Sequence, residues 1–248
     1  LLHFEFHKLI RQKSFYICLA VAVAMLVVST CTTYLINKDV MDTAEMGIDA
    51  MNVMIGSASG GVLSMVIGVF IPLFACEDYV SGTIRNIVTR GYSRLGIFSA
   101  KLIAVTLATA VMTIACMAAG YLIGLIFSGS GVEPFDAATV KILLCQLAVM
   151  LAEGALFYAI STVLQKTGGS IAVCLVLPMV LTIVLTLADT ALAEKDISLS
   201  AYWLERISGT LSSFDVKSAD MKKALLTALG YFVVTSAGSF LAVMKREY

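Results

Sequence analysis

Chemistry in this chain rests on very few side chains, and the foremost is Glu153. It stands in the run Leu151-Ala-Glu-Gly-Ala-Leu, near the middle of a long apolar stretch. An ionised carboxylate at membrane depth costs several kcal/mol unless it is paired, hydrated or protonated. Three roles are open to it: a neutral acid hydrogen-bonded to a neighbouring helix, a group lining a watery translocation path together with Ser64, or a proton-coupling group. His3 and His7, the two histidines of the chain, are four apart and share a helix face, but no third metal ligand lies near them in sequence. Cys18, Cys31, Cys76, Cys116, Cys145 and Cys174 are scattered singly among apolar residues. That pattern suits small buried hydrophobes rather than a disulfide framework or a metal site.

The motifs that are absent narrow the function further. No G-x-x-x-x-G-K-[ST] is present to cradle nucleotide phosphates, and no G-x-S-x-G, H-E-x-x-H or C-x-x-C occurs. The apolar runs pair neither Ser with His nor Asp with Asp, as an intramembrane protease would require. The chain reads as a non-enzyme without a metal or cofactor of its own. Hydrophobic residues make up 59% and charged residues 14% of it, and its mean hydropathy is +0.94. These values lie outside the soluble globular range and describe an integral membrane protein. With 17 Lys and Arg against 17 Asp and Glu, the charge balance favours no polyanionic partner such as nucleic acid.

The elements that must position these groups are helices that cross a bilayer. Residues 1–13 read as a short amphipathic helix at the membrane surface, with Leu2, Phe6, Leu9 and Ile10 on one side. Residues 14–248 hold six apolar runs long enough to span, at about 15–36, 54–76, 102–127, 140–164, 168–188 and 224–244. Small residues recur every four positions at Gly56, Gly60, Ser64 and Gly68, and again at Gly120 and Gly124, as ridges for close helix approach. Pro72 is expected to kink the last turns of the second span. The chain opens on Leu1-Leu2 rather than Met, so residues are expected to precede it.

Charge distribution sets the orientation. With the N-terminus in the cytoplasm, ten Lys and Arg fall inside and seven outside, five of the seven in the loop 189–223. The bias is clearest in the short loops, where it is most informative. The reading is an all-α membrane protein with six spans and both termini cytoplasmic, and lipid as its surroundings. In the outer loop, Tyr202 and Trp203 suit a headgroup-level anchor, or alternatively an outer gate over a path.

The charged segment between the second and third spans, residues 77–101, is then a cytoplasmic elbow. Val80, Ile84, Ile87 and Val88 recur at helical spacing, with Arg85 and Arg90 turned to water or headgroups. Thr83 can cap the start of this short helix, Gly91 can end it in the left-handed region, and Ser93 can cap the next helix.

The elbow reads Glu77-Asp-Tyr-Val-Ser-Gly-Thr-Ile-Arg, then Gly91-Tyr-Ser-Arg, then Lys101-Leu. This resembles the E-x-x-x-x-G-T-x-R, G-x-S-R and K-L pattern after the second span of type-2 ATP-binding-cassette exporter permeases. It resembles particularly the small bacterial six-span permeases that work with a separate ATPase chain. Many relatives have Pro where this chain has Gly91. The resemblance implies that Glu77 and Arg85 fasten the inner mouth and that Gly82-Thr83 form the tight entry to a coupling helix. It places the ATPase contact within 79–92, including Tyr79, and implies that Ser93 and Arg94 start the next helix with Lys101 at its membrane boundary. ATP and Mg would be bound by a partner ATPase, and a second permease copy or a similar permease would complete the pair. The expected activity is export of an amphipathic cargo, a peptide or antibiotic among the candidates, at the bacterial plasma membrane. The competing reading is a channel or passive scaffold whose elbow is an ordinary basic loop.

Overall fold

The computed structural model describes residues 1–40, 50–89, 91–128, 137–192, 198–212 and 218–244; side chains at 37–40, 60, 85, 86, 88, 94, 128 and 218 are outside that description. The described residues are helical, with no strand among them. They form α1 (Leu2–Arg11), α2 (Lys13–Val40), α3 (Ala50–Ser57), α4 (Gly60–Val80), α5 (Thr83–Thr89), α6 (Arg94–Ser128) and α7 (Ala137–Leu164). After these come α8 (Thr167–Ala191), a 3-10 turn at Ser200–Tyr202, α9 (Leu204–Leu211) and α10 (Ser218–Met244). Six segments of the described chain are long and apolar enough to cross a membrane: α2, α3 with α4, α6, α7, α8 and α10. Arg90, the acidic stretch 41–49, the Glu133-Pro134-Asp136 loop and the Lys245-Arg246 end lie outside the described residues.

The spans divide into a centre and a rim. In the most apolar windows, 65% of residues are buried for the α3–α4 span and 56% for α7, against 17% for α2 and α10 and 11% for α8. A rim helix that keeps apolar side chains on its outer face, as α8 does with Val176, Ile183 and Leu187, has lipid as its natural neighbour. The centre is filled by Phe70, Phe74, Met112, Met150, Phe157 and Tyr158, none more than 1% exposed.

Among the described residues the second span is two helices rather than one, Ala50–Ser57 and Gly60–Val80. Its break falls at Ala58-Ser59, where Ser59 takes an extended conformation. The local sequence Gly56-Ser57-Ala58-Ser59-Gly60-Gly61 accounts for this. Glycine holds a helix poorly, and the Ser57 and Ser59 hydroxyls donate to the carbonyls of Met54 and Gly56, at 2.7 and 2.6 Å. Helix α3 then lies against α6 at very close range. A Cβ on Gly124 would stand 2.6 Å from the Ala50 Cα, and one on Gly120 would meet the Ser57 side chain. These glycines therefore serve contact within the chain. Of the ridge on the second span, Ser64 and Gly68 face α7 and α8, whereas Gly56 looks onto open space. Helix α4 continues through Pro72.

Candidate functional site

The elbow is built by two glycines. Helix α4 ends at Val80, Gly82 turns the chain at φ +69°, α5 runs for seven residues, and Gly91 turns it again at φ +85°. Both angles lie in the left-handed region that an L side chain rarely adopts. Ser81 and Thr83 hydroxyls hydrogen-bond at 2.8 Å across the first turn. Ser93 caps α6 by accepting the Gly96 N–H at 3.2 Å. Because Gly82 separates them, Val80 and Ile84 do not share a face: Val80 is 71% exposed and Ile84 is buried. Ile87 is half-buried. The apolar side chains that the elbow presents outward are Val80, Tyr92 and Leu95. The side chains of Arg85, Val88 and Arg94 lie outside the described residues, though their backbones belong to α5 and α6.

Behind the elbow stands a cluster of ionisable groups that the sequence did not reveal. Asp78, in the last turn of α4, accepts from Lys8 of α1 at 2.5 Å and from Lys101 of α6. One carboxylate thus joins three helices. Lys101 is buried, so it faces inward onto Asp78 and lies over the Tyr79 ring, 5.6 Å from its centroid. Glu77 is half-exposed, pairs with Lys8 at 3.1 Å and accepts from Gln12 at 3.2 Å. Glu5 is buried beside the cluster, and its Oε2 makes no hydrogen bond.

Burial pushes the Glu5 carboxyl above the usual range, against the pull of Lys101 and with a further push from Asp78. For Lys8, burial weighs against the charge, but the hydrogen bond and charge of Asp78, then those of Glu77, outweigh it and lift the pKa above the usual lysine value. Leu9 is the apolar residue of α1 that turns into the bundle, while Leu2, Phe6 and Ile10 stay exposed. His3 and His7 stack at 6.5 Å, and no group of three metal ligands occurs among the described residues.

The other polar site lies inside the bundle. Glu153 of α7 is buried, and Ser64 of α4 donates to its Oε1, while Oε2 has no hydrogen-bond partner. Helix α9 packs nearby. Trp203, which a headgroup anchor would leave at the surface, is 5% exposed, and its indole donates to Thr182 of α8 at 3.0 Å. Thr182 also bonds Glu205 at 2.7 Å. Trp203 is drawn in because it precedes α9, whose Leu204, Ile207 and Leu211 are buried against the same core. Tyr202 alone keeps the exposed position.

A long helical hairpin, a glycine-bounded elbow and a six-span bundle suit several membrane machines, and sequence comparison decides among them. A family model described as ABC-2 family transporter protein matches residues 1–189. The chain belongs to that family. A search of curated proteins finds no match. The match covers α1, the elbow and five of the six spans, so the ABC-2 assignment includes every site described above except α9. As an ABC-2 permease, the chain is the membrane component of an ABC transporter, a kind of protein that works with an ATPase subunit and is generally not catalytic itself.

Proposed function

We propose that this permease is the transmembrane subunit of an ATP-driven exporter in the bacterial plasma membrane. It pairs with a second copy of itself or a similar permease, and two ATPase chains that bind ATP and Mg dock on its elbows. The docking segment comprises Tyr79, Val80, Gly82, Thr83, Ile84, Arg85, Ile87, Val88, Arg90 and Gly91. Glu77, Ser93, Arg94 and Lys101 form the inner mouth, and Glu153 with Ser64 lies on the path of an amphipathic cargo, a peptide or antibiotic.

One observation carries this reading. The short helix α5 hangs between two left-handed glycines, and the helices on either side of it are pinned together, and to α1, by Asp78. A push on α5 is therefore delivered to α4 and α6 jointly, and both of these pack on α7, which bears Glu153. A plain loop between spans needs no such clamp, which favours the exporter over the passive scaffold.

The test is co-purification with a co-expressed ATPase bearing a P-loop. Combined Val80→Asp and Tyr92→Asp substitutions alter exposed side chains, so the permease should fold and its ATPase should be lost. Retention of the ATPase by that variant would remove the elbow as its docking site.

A further inference from the structure

The buried polar atoms along one face of α7 are short of donors. Gln146 and Glu153 are seven residues apart, which puts them on one side of the helix about 10 Å apart along its axis. Gln146 is fully buried; its Nε2 donates to Ser208 of α9 at 3.1 Å, and its Oε1 has no hydrogen-bond partner. Two turns further, Glu153 leaves Oε2 without a partner. On α9, Glu205 accepts from Thr182 of α8 at 2.7 Å. Among the described residues no lysine or arginine pairs with either carboxylate; the ion pairs are confined to the cluster behind the elbow. A native interior seldom leaves such atoms unsatisfied, and acceptors that lack donors at two successive positions call for one explanation.

We infer that the seam between α7 and α9 is a binding site for the ammonium or guanidinium group of a cationic amphipath. A cation supplies what Glu153 lacks, N–H donors and positive charge at Oε2, and a further N–H on the same molecule, about 10 Å along the seam, serves Gln146 Oε1. An anionic cargo would meet the like charge of Glu153, and a neutral cargo would leave that carboxylate uncompensated. The apolar remainder of the ligand would enter the buried core to which Met150, Leu204 and Ile207 belong.

Helix α9, eight residues long, also borders a cavity of about 340 Å³ through Arg206, Ile207, Thr210 and Leu211. That cavity is lined by Asp189 and Asp220 as well as Arg206 and Lys223, so it offers a cation acidic partners on its way. The inference deepens the export reading by naming the class of cargo, and it rests on the bundle interior being the cargo path.

The experiment uses the purified full chain in uncharged detergent and two dansyl-labelled probes, lauroyl-arginine amide and its isosteric citrulline counterpart. Fluorescence titration should give saturable binding with the arginine probe about tenfold tighter, the scale of one charge-assisted hydrogen bond. Glu153→Gln should abolish that preference, and Glu205→Gln should reduce it. Thermal unfolding of each variant shows whether it is folded, and whichever variant stays folded carries the test. Equal affinity for the two probes in the native chain, non-saturable uptake of both, or a preference retained in both folded variants would overturn the inference. Neither arm requires an ATPase. Failure of ATP-driven transport with the arginine preference intact therefore contradicts the exporter reading alone.

Discussion

Asp78 holds two ammonium groups on one carboxylate, and its removal leaves Lys101 without a counter-charge while Lys8 keeps Glu77 at 3.1 Å. Asp78→Asn keeps the shape but strands the buried Lys101, an effect of about 3 kcal/mol. A drop in thermal midpoint in detergent reads it, and an unchanged midpoint would show that the clamp adds nothing. Glu5 responds in the opposite direction to an ordinary ion-paired acid. Burial lifts its folded pKa above 4.5, so the folded form keeps its proton to higher pH than the unfolded chain does. The stability this gives is complete below the unfolded pKa and is lost as pH rises through the folded one. Amide exchange in α1, compared with α7 at each pH, should therefore gain protection as pH falls through that window, and Glu5→Gln should flatten the difference. Neither acid was legible as part of a site from the sequence. Asp78 reads as a solvated charge at the end of a span, and its partner Lys8 lies 70 positions away, beyond any local pattern. Glu153 was legible, because a lone carboxylate in an apolar run must be paired, hydrated or protonated. Its link to Ser64 on another span was visible only as a shared path, not as a hydrogen bond.

At the scale of elements, close contacts and one indole set the expectations. Gly124 meets the Ala50 backbone across the α3–α6 contact, so Gly124→Val should force the helices apart and lower stability by about 2 kcal/mol. A valine tolerated without loss would mean that α3 is not held there. Trp203 ties α9 to α8. Trp203→Phe should cost about 1 kcal/mol for the lost Thr182 bond, and Trp203→Ala about 3 kcal/mol for the lost packing. Thermal unfolding in detergent separates the two variants. The end of the elbow was legible from Gly91, a glycine after a helix-forming run, whereas the turn at Gly82 entered only through the family resemblance. The division of the second span appeared only as a cluster of small residues, since the same glycines and serines serve equally for helix packing. The burial of Trp203 was hidden because aromatic residues in an amphipathic loop suit a headgroup layer just as well. What draws this one inward is Thr182, on a different span.

For the whole molecule, six apolar runs gave the six-span helical bundle, since a bilayer admits few alternatives for such stretches. Which spans form the centre was not legible, because the runs are similarly apolar and only packing separates α4 and α7 from the lipid-facing rim. The central claim is that force enters this bundle at the elbow. Single cysteines at Val80 and Tyr92, both exposed, suit a direct test, because five of the six native cysteines are buried. The permease is co-expressed with its ATPase, and a short thiol-to-amine cross-linker is added with and without ATP. A permease–ATPase adduct should form from positions 80 and 92, change in yield with ATP, and be absent from a cysteine at Tyr202 at the opposite end of the bundle. No adduct from either elbow position, or equal adducts from all three, would contradict the account.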